Sequence, residues 1–269
     1  MNTKFLLAIA TAVAVPAFAQ LAPMNDRGIT VGHVHLNVSN IDVQETFWKE
    51  LGATPINDEK LLPQRILQFK GIYVMLREQA PTGPSDGSVI NHFGFHVKNI
   101  NDWIPRWKAE GITIEPGKRP TQMFLIGPDG VRVEIIEDAS IAGPIEMHHI
   151  HLFVTDPLAT QAWYVKNFGA VAGKRAQFDT ATLPGAEITI SKVDMAQAGS
   201  EGRSLDHFGV EVKDLDQFVK ALEASGTKID GPIRASKNTP GVRSTYVTDP
   251  WGTRIELTEG SPRLTGYSH

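Results

Sequence analysis

The chain has 269 residues, 41% of them hydrophobic and 21% charged, with a net charge of −4. That is the composition of a folded chain long enough for two ordinary domains, and it gives no footing for a polyanion partner such as nucleic acid. There is no cysteine, which excludes disulfides, thiolate metal sites and cysteine nucleophiles, so any metal must be held by His, Asp or Glu.

Residues 1–19 read as a secretory signal peptide: Lys4, an apolar run from Phe5 to Val15, then Ala17-Phe18-Ala19 as an A-x-A cleavage site, with Gln20 as the expected new N-terminus. The run is too short to span a bilayer as a mature helix, and no later stretch is long and apolar enough to do so. The expectation is a periplasmic or secreted bacterial protein exported by a Sec-type signal, with no membrane contact after cleavage.

From Val31 onward one pattern recurs four times: a strand beginning near a His, an amphipathic helix, then two or three more strands. The first unit opens at Val31-Gly32-His33-Val34-His35-Leu36-Asn37-Val38. Its helix is predicted from Asp42 to Leu51, ended by Gly52, with strands over 65–70 and 72–77. The second opens at Asn91-His92-Phe93-Gly94-Phe95-His96-Val97, with a helix over 101–110 and strands near 112–115, 122–126 and 131–137. The third opens at His148-His149-Ile150-His151-Leu152-Phe153-Val154; its helix starts at Asp156-Pro157, a cap followed by Pro at the first helical position. Strands over 176–182 and 186–192 follow. The fourth opens at Asp206-His207-Phe208-Gly209-Val210-Glu211-Val212, with a helix over 214–224 and strands near 228–232, 243–248 and 253–258.

The second and fourth units end alike. Gly127-Pro128-Asp129-Gly130-Val131-Arg132-Val133-Glu134-Ile135 echoes Asp249-Pro250-Trp251-Gly252-Thr253-Arg254-Ile255-Glu256-Leu257, a tight Pro-Gly turn feeding a strand with Glu four residues after Gly. His33 to His149 is 116 residues and His92 to His207 is 115. The chain is therefore a duplication. It is α+β, four βαβββ units in two domains at 28–138 and 147–260, joined by a linker at 139–146.

Strand alternation puts His33, His35 and Asn37 on one face and Val34, Leu36 and Val38 on the other, toward the helices. His149, His151 and Phe153 match them, so the histidines face the concave side of a curled sheet. His92 shares its face with Gly94 and His96, and His207 shares its face with Gly209 and Glu211. Gly at the middle position leaves room beside a His. Each half thus offers two histidines and a carboxylate: His33, His92 and Glu134, then His149, His207 and Glu256. Two imidazoles and one carboxylate on one side of a metal leave the other side open, an arrangement that suits Fe(II), Mn(II) or Zn(II).

These motifs, in this order and twice over, resemble the vicinal oxygen chelate superfamily of glyoxalase I, fosfomycin-resistance proteins, bleomycin-resistance proteins and extradiol ring-cleaving dioxygenases. The resemblance covers the chain from about Val31 to Glu259. It implies two glyoxalase-like domains with curled mixed sheets, and metal binding by His33, His92, Glu134, His149, His207 and Glu256. Pairing of units within a half or across halves is open. Crossing would bring His33 to His207 and Glu256, and His149 to His92 and Glu134. A fourth ligand position of the family falls on Met75 and Thr189, neither an acid, which argues against the two-glutamate proton shuttling of glyoxalase I. Tyr246, ten residues before Glu256, stands where extradiol dioxygenases carry an active-site Tyr. The region 235–245 holds no acid-base His, leaving His148 or His151 as stand-ins. His35 and His151 either line the substrate pocket or support the ligands. The resemblance implies a small-molecule substrate chelated through vicinal oxygens, with dioxygenase-like chemistry ahead of isomerase or lyase chemistry; a homodimer is compatible with it. The alternative is a non-catalytic periplasmic protein that sequesters a drug or metabolite. A third reading is metal capture without chemistry.

Overall fold

A computed structural model describes residues 21–56, 65–237 and 241–261; the signal-peptide segment lies outside the described residues. The first unit is β1 (Ile29–Val38), α1 (Ile41–Glu50), β2 (Thr54–Ile56), β3 (Arg65–Phe69) and β4 (Ile72–Glu78). The second is β5 (Ile90–Val97), α2 (Ile104–Ala109), β6 (Thr113–Pro116), β7 (Gln122–Ile126) and β8 (Arg132–Glu137). The third is β9 (Ile145–Val154), α3 (Pro157–Phe168), β10 (Val171–Arg175), β11 (Phe178–Leu183) and β12 (Ala186–Lys192). The fourth is β13 (Leu205–Val212), α4 (Leu215–Ala224), β14 (Arg234–Ala235), β15 (Arg243–Thr248) and β16 (Arg254–Glu259).

Local chemistry sets the helix starts. Asn40, Asp156 and Asp214 each turn a side-chain oxygen onto free amides of the first turn of α1, α3 and α4. Gly169 ends α3 in the left-handed region at φ 66. The expected second helix is cut in two. A 3₁₀ turn over Ile100–Asp102 precedes α2, which carries Pro105 in its first turn, where a missing N–H costs nothing. The strand expected at 228–232 is reduced to one bridge, Ile229 to Val247.

The two sheets each have eight strands, in the orders β14-β15-β16-β13-β1-β4-β3-β2 and β10-β11-β12-β9-β5-β8-β7-β6. The first unit therefore pairs with the fourth, and the second with the third. The repeats 28–138 and 147–260 are repeats in sequence, not the two sheet bodies. The second sheet is one continuous stretch, 90–192, and the first is built from the two flanking stretches. Its centre is the antiparallel pair β1–β13, with His33 opposite Gly209 and His35 opposite His207. The second sheet's centre is β5–β9, with His92 opposite His151 and Gly94 opposite His149.

The alternation holds. Val34, Leu36 and Val38 are buried in one continuous apolar core with Ile150, Leu152, Val154, Ile255 and Leu257. That core passes between the sheets. Trp48 of α1, fully buried, stacks on Phe93 of the other sheet at 5.5 Å and 23°. Gln44 holds the Trp48 indole N–H at 3.1 Å and donates to the Pro128 carbonyl. The opposite strand faces, freed of helices, carry the histidines.

Candidate metal centres

Crossing of the units decides which histidines meet. The groupings within a half, His33 with His92 and Glu134 and His149 with His207 and Glu256, do not form. Instead His33, His207 and Glu256 come together on the first sheet, and His92, Glu134, His149 and His151 on the second. Within each group the ligand atoms lie within 4.8 Å of one another.

In the first centre His33 Nε2 is 3.0 Å and His207 Nε2 3.4 Å from the same Glu256 oxygen. Gly209 makes this possible: a Cβ there would sit 1.9 Å from the His33 ring. The glycine leaves room for the histidine of the facing unit, not for its own strand's. Asp206 Oδ1 holds His207 Nδ1 at 2.5 Å and accepts from Arg254 at 3.1 Å, while Asn37 donates to Oδ2 at 2.9 Å. With Nδ1–H so fixed, Nε2 is the ring nitrogen that faces Glu256, and in the neutral ring its lone pair would be free for a cation between them. Burial works against charge on His207, but Asp206 and Glu256 outweigh it and raise its pKa. Burial would likewise raise Glu256, yet His207 and His33 hold it well below the usual carboxylate range.

Beside this centre is a pocket of about 190 Å³ lined by His33, His35, Met75, Arg234, Tyr246 and Glu256, among others. Tyr246 lies opposite Glu256 in the β15–β16 register. Its ring meets His207 edge-on at 5.3 Å, with the Arg254 guanidinium 4.1 Å above it. Burial, then the Glu256 charge, push its hydroxyl pKa up. His35 stacks on His207 at 4.5 Å; burial and then His207 hold it well below the usual histidine range. The histidine that stands with Tyr246 is therefore His35. His148 and His151, expected as stand-ins, belong to the other sheet.

In the second centre one Glu134 oxygen is 3.0 Å from both His92 Nε2 and His149 Nε2, and Gln122 donates to the other oxygen. Gly94 again makes room, for a Cβ there would lie 2.4 Å from the His149 ring. Asn91 meets His92 Nδ1 at 2.8 Å, as Asp206 meets His207. Phe124 replaces Tyr246, edge-on to His92 at 5.3 Å under the Arg132 guanidinium. His96 stacks on His148 at 3.9 Å behind His149.

Both donor sets fit a divalent metal ion. Buried Nε2 atoms of His149 and His207 have no hydrogen-bond partner among the described residues, yet each is turned to a carboxylate, an arrangement a cation between them would satisfy. Carboxyl or amide groups on the far ring nitrogens are the usual support of metal-bound histidines. Met75 and Thr189 occupy the fourth position in register, opposite His35 and His151 as Glu256 and Glu134 are opposite Gly209 and Gly94. Arg132 and Arg254 are props behind Asn91 and Asp206. The strand patterns did not single out Asn91, Asp206, Gln122 and Ser191. The signal for the first two was a polar residue directly before the His in both copies, at a position alternation assigns to the core.

Acid should loosen the metal-free protein. Burial lowers His92 from 6.5 to about 4, despite Glu134, and it lowers His151 and His35 as well. Such a group must stay neutral to remain folded. Its contribution is intact above pH 6.5 and is lost as pH falls from there toward 4, by roughly 3 kcal/mol for His92. His207, with its raised pKa, pulls the other way, but it is outnumbered. The chelator-treated protein is expected to melt at a clearly lower temperature at pH 5 than at pH 7.5; an equal or higher melting temperature at pH 5 would contradict the burial of neutral histidines.

Residues 146–257 match the family model of the Glyoxalase/Bleomycin resistance protein/Dioxygenase superfamily. No curated protein sequence matches significantly. Among solved structures, glyoxalase I from Zea mays superposes with a TM-score of 0.67 at 18% identity, covering 88% of this chain and 95% of that one. A putative dioxygenase from Bacillus subtilis superposes with a TM-score of 0.65 at 15% identity, covering 91% of this chain and 88% of that one. At these identities the likeness is one of fold, and it extends over both sheets.

Proposed function

Starting from a chain that carries a glyoxalase/bleomycin resistance/dioxygenase superfamily domain, we propose that it is an exported metal-dependent enzyme acting on a small molecule through two neighbouring oxygens, at the His33–His207–Glu256 centre. The observation that carries this reading is a pocket in which His33 and Glu256 of that centre meet His35 and Tyr246, with His207 packed behind under both of their rings. A divalent metal held there would act as a Lewis acid on the chelating oxygens, and Fe(II) would add oxygen-dependent ring cleavage to the isomerase or lyase chemistry open to Mn(II) or Zn(II).

The chain's own residues supply the rest. His35, kept neutral by burial, is placed to take a proton from a chelating hydroxyl. Tyr246, kept protonated, donates a hydrogen bond and can stabilise charge that develops on the second oxygen. Asp206 holds the His207 tautomer, and Arg254 holds Asp206. Arg234 at the pocket wall gives the substrate's outer end a positive contact. A pocket of about 190 Å³ suits a single ring or a short chain. The dioxygenase preference rests on Tyr246 beside a neutral histidine; sequestration without chemistry has no use for that pair.

The test is a screen of catechols, vicinal diols and α-hydroxy ketones against protein loaded with Fe(II), Mn(II) or Zn(II), followed by oxygen uptake and product analysis. Turnover with one metal, lowered in Tyr246→Phe and in His35→Gln with metal content unchanged, is the expected result. Metal-independent binding without turnover would replace the enzyme with the sequestering protein.

A further inference from the structure

The two centres are not equivalent, and the difference lies in what surrounds the ligands. In the second centre the imidazole of His151 joins the cluster: its Nδ1 is 3.1 Å from His92 Nε2. In the first centre the corresponding residue, His35, stacks on His207 and adds no atom to the cluster.

Every far nitrogen in the second centre is also held. Asn91 meets His92 Nδ1 at 2.8 Å, Ser191 meets His151 Nε2 at 2.8 Å, and His148 Nδ1 lies 3.0 Å from His149 Nδ1. Gln122 occupies the second oxygen of Glu134. In the first centre His33 Nδ1 has no partner among the described residues, and the Glu256 carboxylate lines the open pocket, where the Tyr246 hydroxyl donates to it. The walls differ as well. Phe124, Phe153 and Phe178 ring the second cluster, with the last two edge-on to His151 at 5.1 Å. The first has Tyr246 and Asn37 in place of Phe124 and Phe153. All four residues of the second cluster are buried, none more than 6% exposed.

We infer that His92, Glu134, His149 and His151 form a closed four-ligand centre for a tetrahedral divalent metal, Zn(II) by the chemistry of its donors, which braces the second sheet and turns nothing over. Three imidazoles and one carboxylate complete the shell of zinc, and a metal with no open position has nowhere to take a substrate. Held outer nitrogens and an apolar wall slow ligand loss. This division of labour rests on the metal reading of the two centres, but it concerns binding and not turnover.

The experiment uses the full-length Glu256→Ala chain, in which only the second centre is left intact, loaded with Co(II) as a spectroscopic stand-in for Zn(II). The expected result is one equivalent of cobalt with the intense visible bands of a four-coordinate ion, unchanged by added catechol. His151→Gln in the same chain should weaken those bands toward those of a higher-coordinate ion and lower affinity by at least ~10-fold. Ser191→Ala, which keeps His151 but frees its far nitrogen, should lower affinity by roughly 10-fold with the bands kept, so a folding defect in the first variant does not decide the matter. Bands unchanged by His151→Gln would remove His151 from the ligand set. Bands shifted by catechol would show an open position and overturn the closure. No cobalt in the Glu256→Ala chain would remove the second centre altogether. None of these outcomes depends on whether the first centre is an enzyme, which the substrate screen decides by itself.

Discussion

Glu256→Ala, purified beside the wild type and Glu134→Ala, is expected to lose one metal equivalent per chain and all measurable turnover. Among the described residues Glu256 is the one carboxylate of the first cluster, and one of its oxygens faces both His33 and His207. Two neutral imidazoles alone hold a divalent ion weakly. The loss in affinity should exceed the ~10- to 100-fold that outer hydrogen-bond partners of a metal site are worth. Glu134→Ala should loosen the other equivalent and leave turnover at the pocketed centre standing. Metal analysis and a turnover assay on the two variants check this directly. If Glu134→Ala abolishes turnover and Glu256→Ala preserves it, the chemistry belongs to the second centre and the assignment made from the pocket is wrong.

Gly209→Ala is expected to do almost as much damage with one methyl group. Its Cβ would lie 1.9 Å from the His33 ring, a distance at which one of the two must move. The ring cannot retreat without leaving Glu256, since Val34 and its neighbours fix β1 from the other side. Overpacking of this kind costs about 1–3 kcal/mol, and here it also ejects a metal ligand. The expected readout is loss of the first metal equivalent together with a lower melting temperature. Gly94→Ala, with its Cβ 2.4 Å from the His149 ring, should do the same to the second centre, while Gly231→Ala, which meets nothing within 4 Å, should be silent. Full metal content in Gly209→Ala would show that the ring has another place to go.

Much of this was legible in the chain. The doubled turn before Glu134 and Glu256 marked the repeat, and strand alternation put every candidate ligand on the face opposite the helices. The Asp156-Pro157 cap marked the start of α3, whereas the caps at Asn40 and Asp214 emerged only in the structure. The pairing of units was not legible, because equal spacing in both halves fits either arrangement: the ladder between β1 and its partner depends on contacts between distant strands, which periodicity does not encode. That single unknown moved His35 to Tyr246 and His151 away from it. The strands that went unseen, Thr54–Ile56, Val171–Arg175 and Arg234–Ala235, are edge strands without a single buried residue, so they carry no buried-face signal. His151 as a fourth metal neighbour was equally hidden, since Thr189 had taken the position the sequence pattern assigns to that ligand.

The nesting of one sheet within the other also fixes an order of assembly. Everything that makes the second centre lies in one uninterrupted stretch, with His92 and Glu134 42 residues apart and His92 and His151 59 apart. The first centre must join His33 to Glu256 across 223 residues. For a free chain the longer closure costs about 1.5 kcal/mol more than the 42-residue one, and it requires the C-terminal strand to be present. The middle body can therefore fold early and draw its two exits together, where Val89 bonds the carbonyl of Ala198. The flanking arms then zip along β1 and β13 as a late, long-range event. A nascent chain would hold every ligand of the second centre before Glu256 had been made, and truncation at either end would take ligands from the first centre and none from the second.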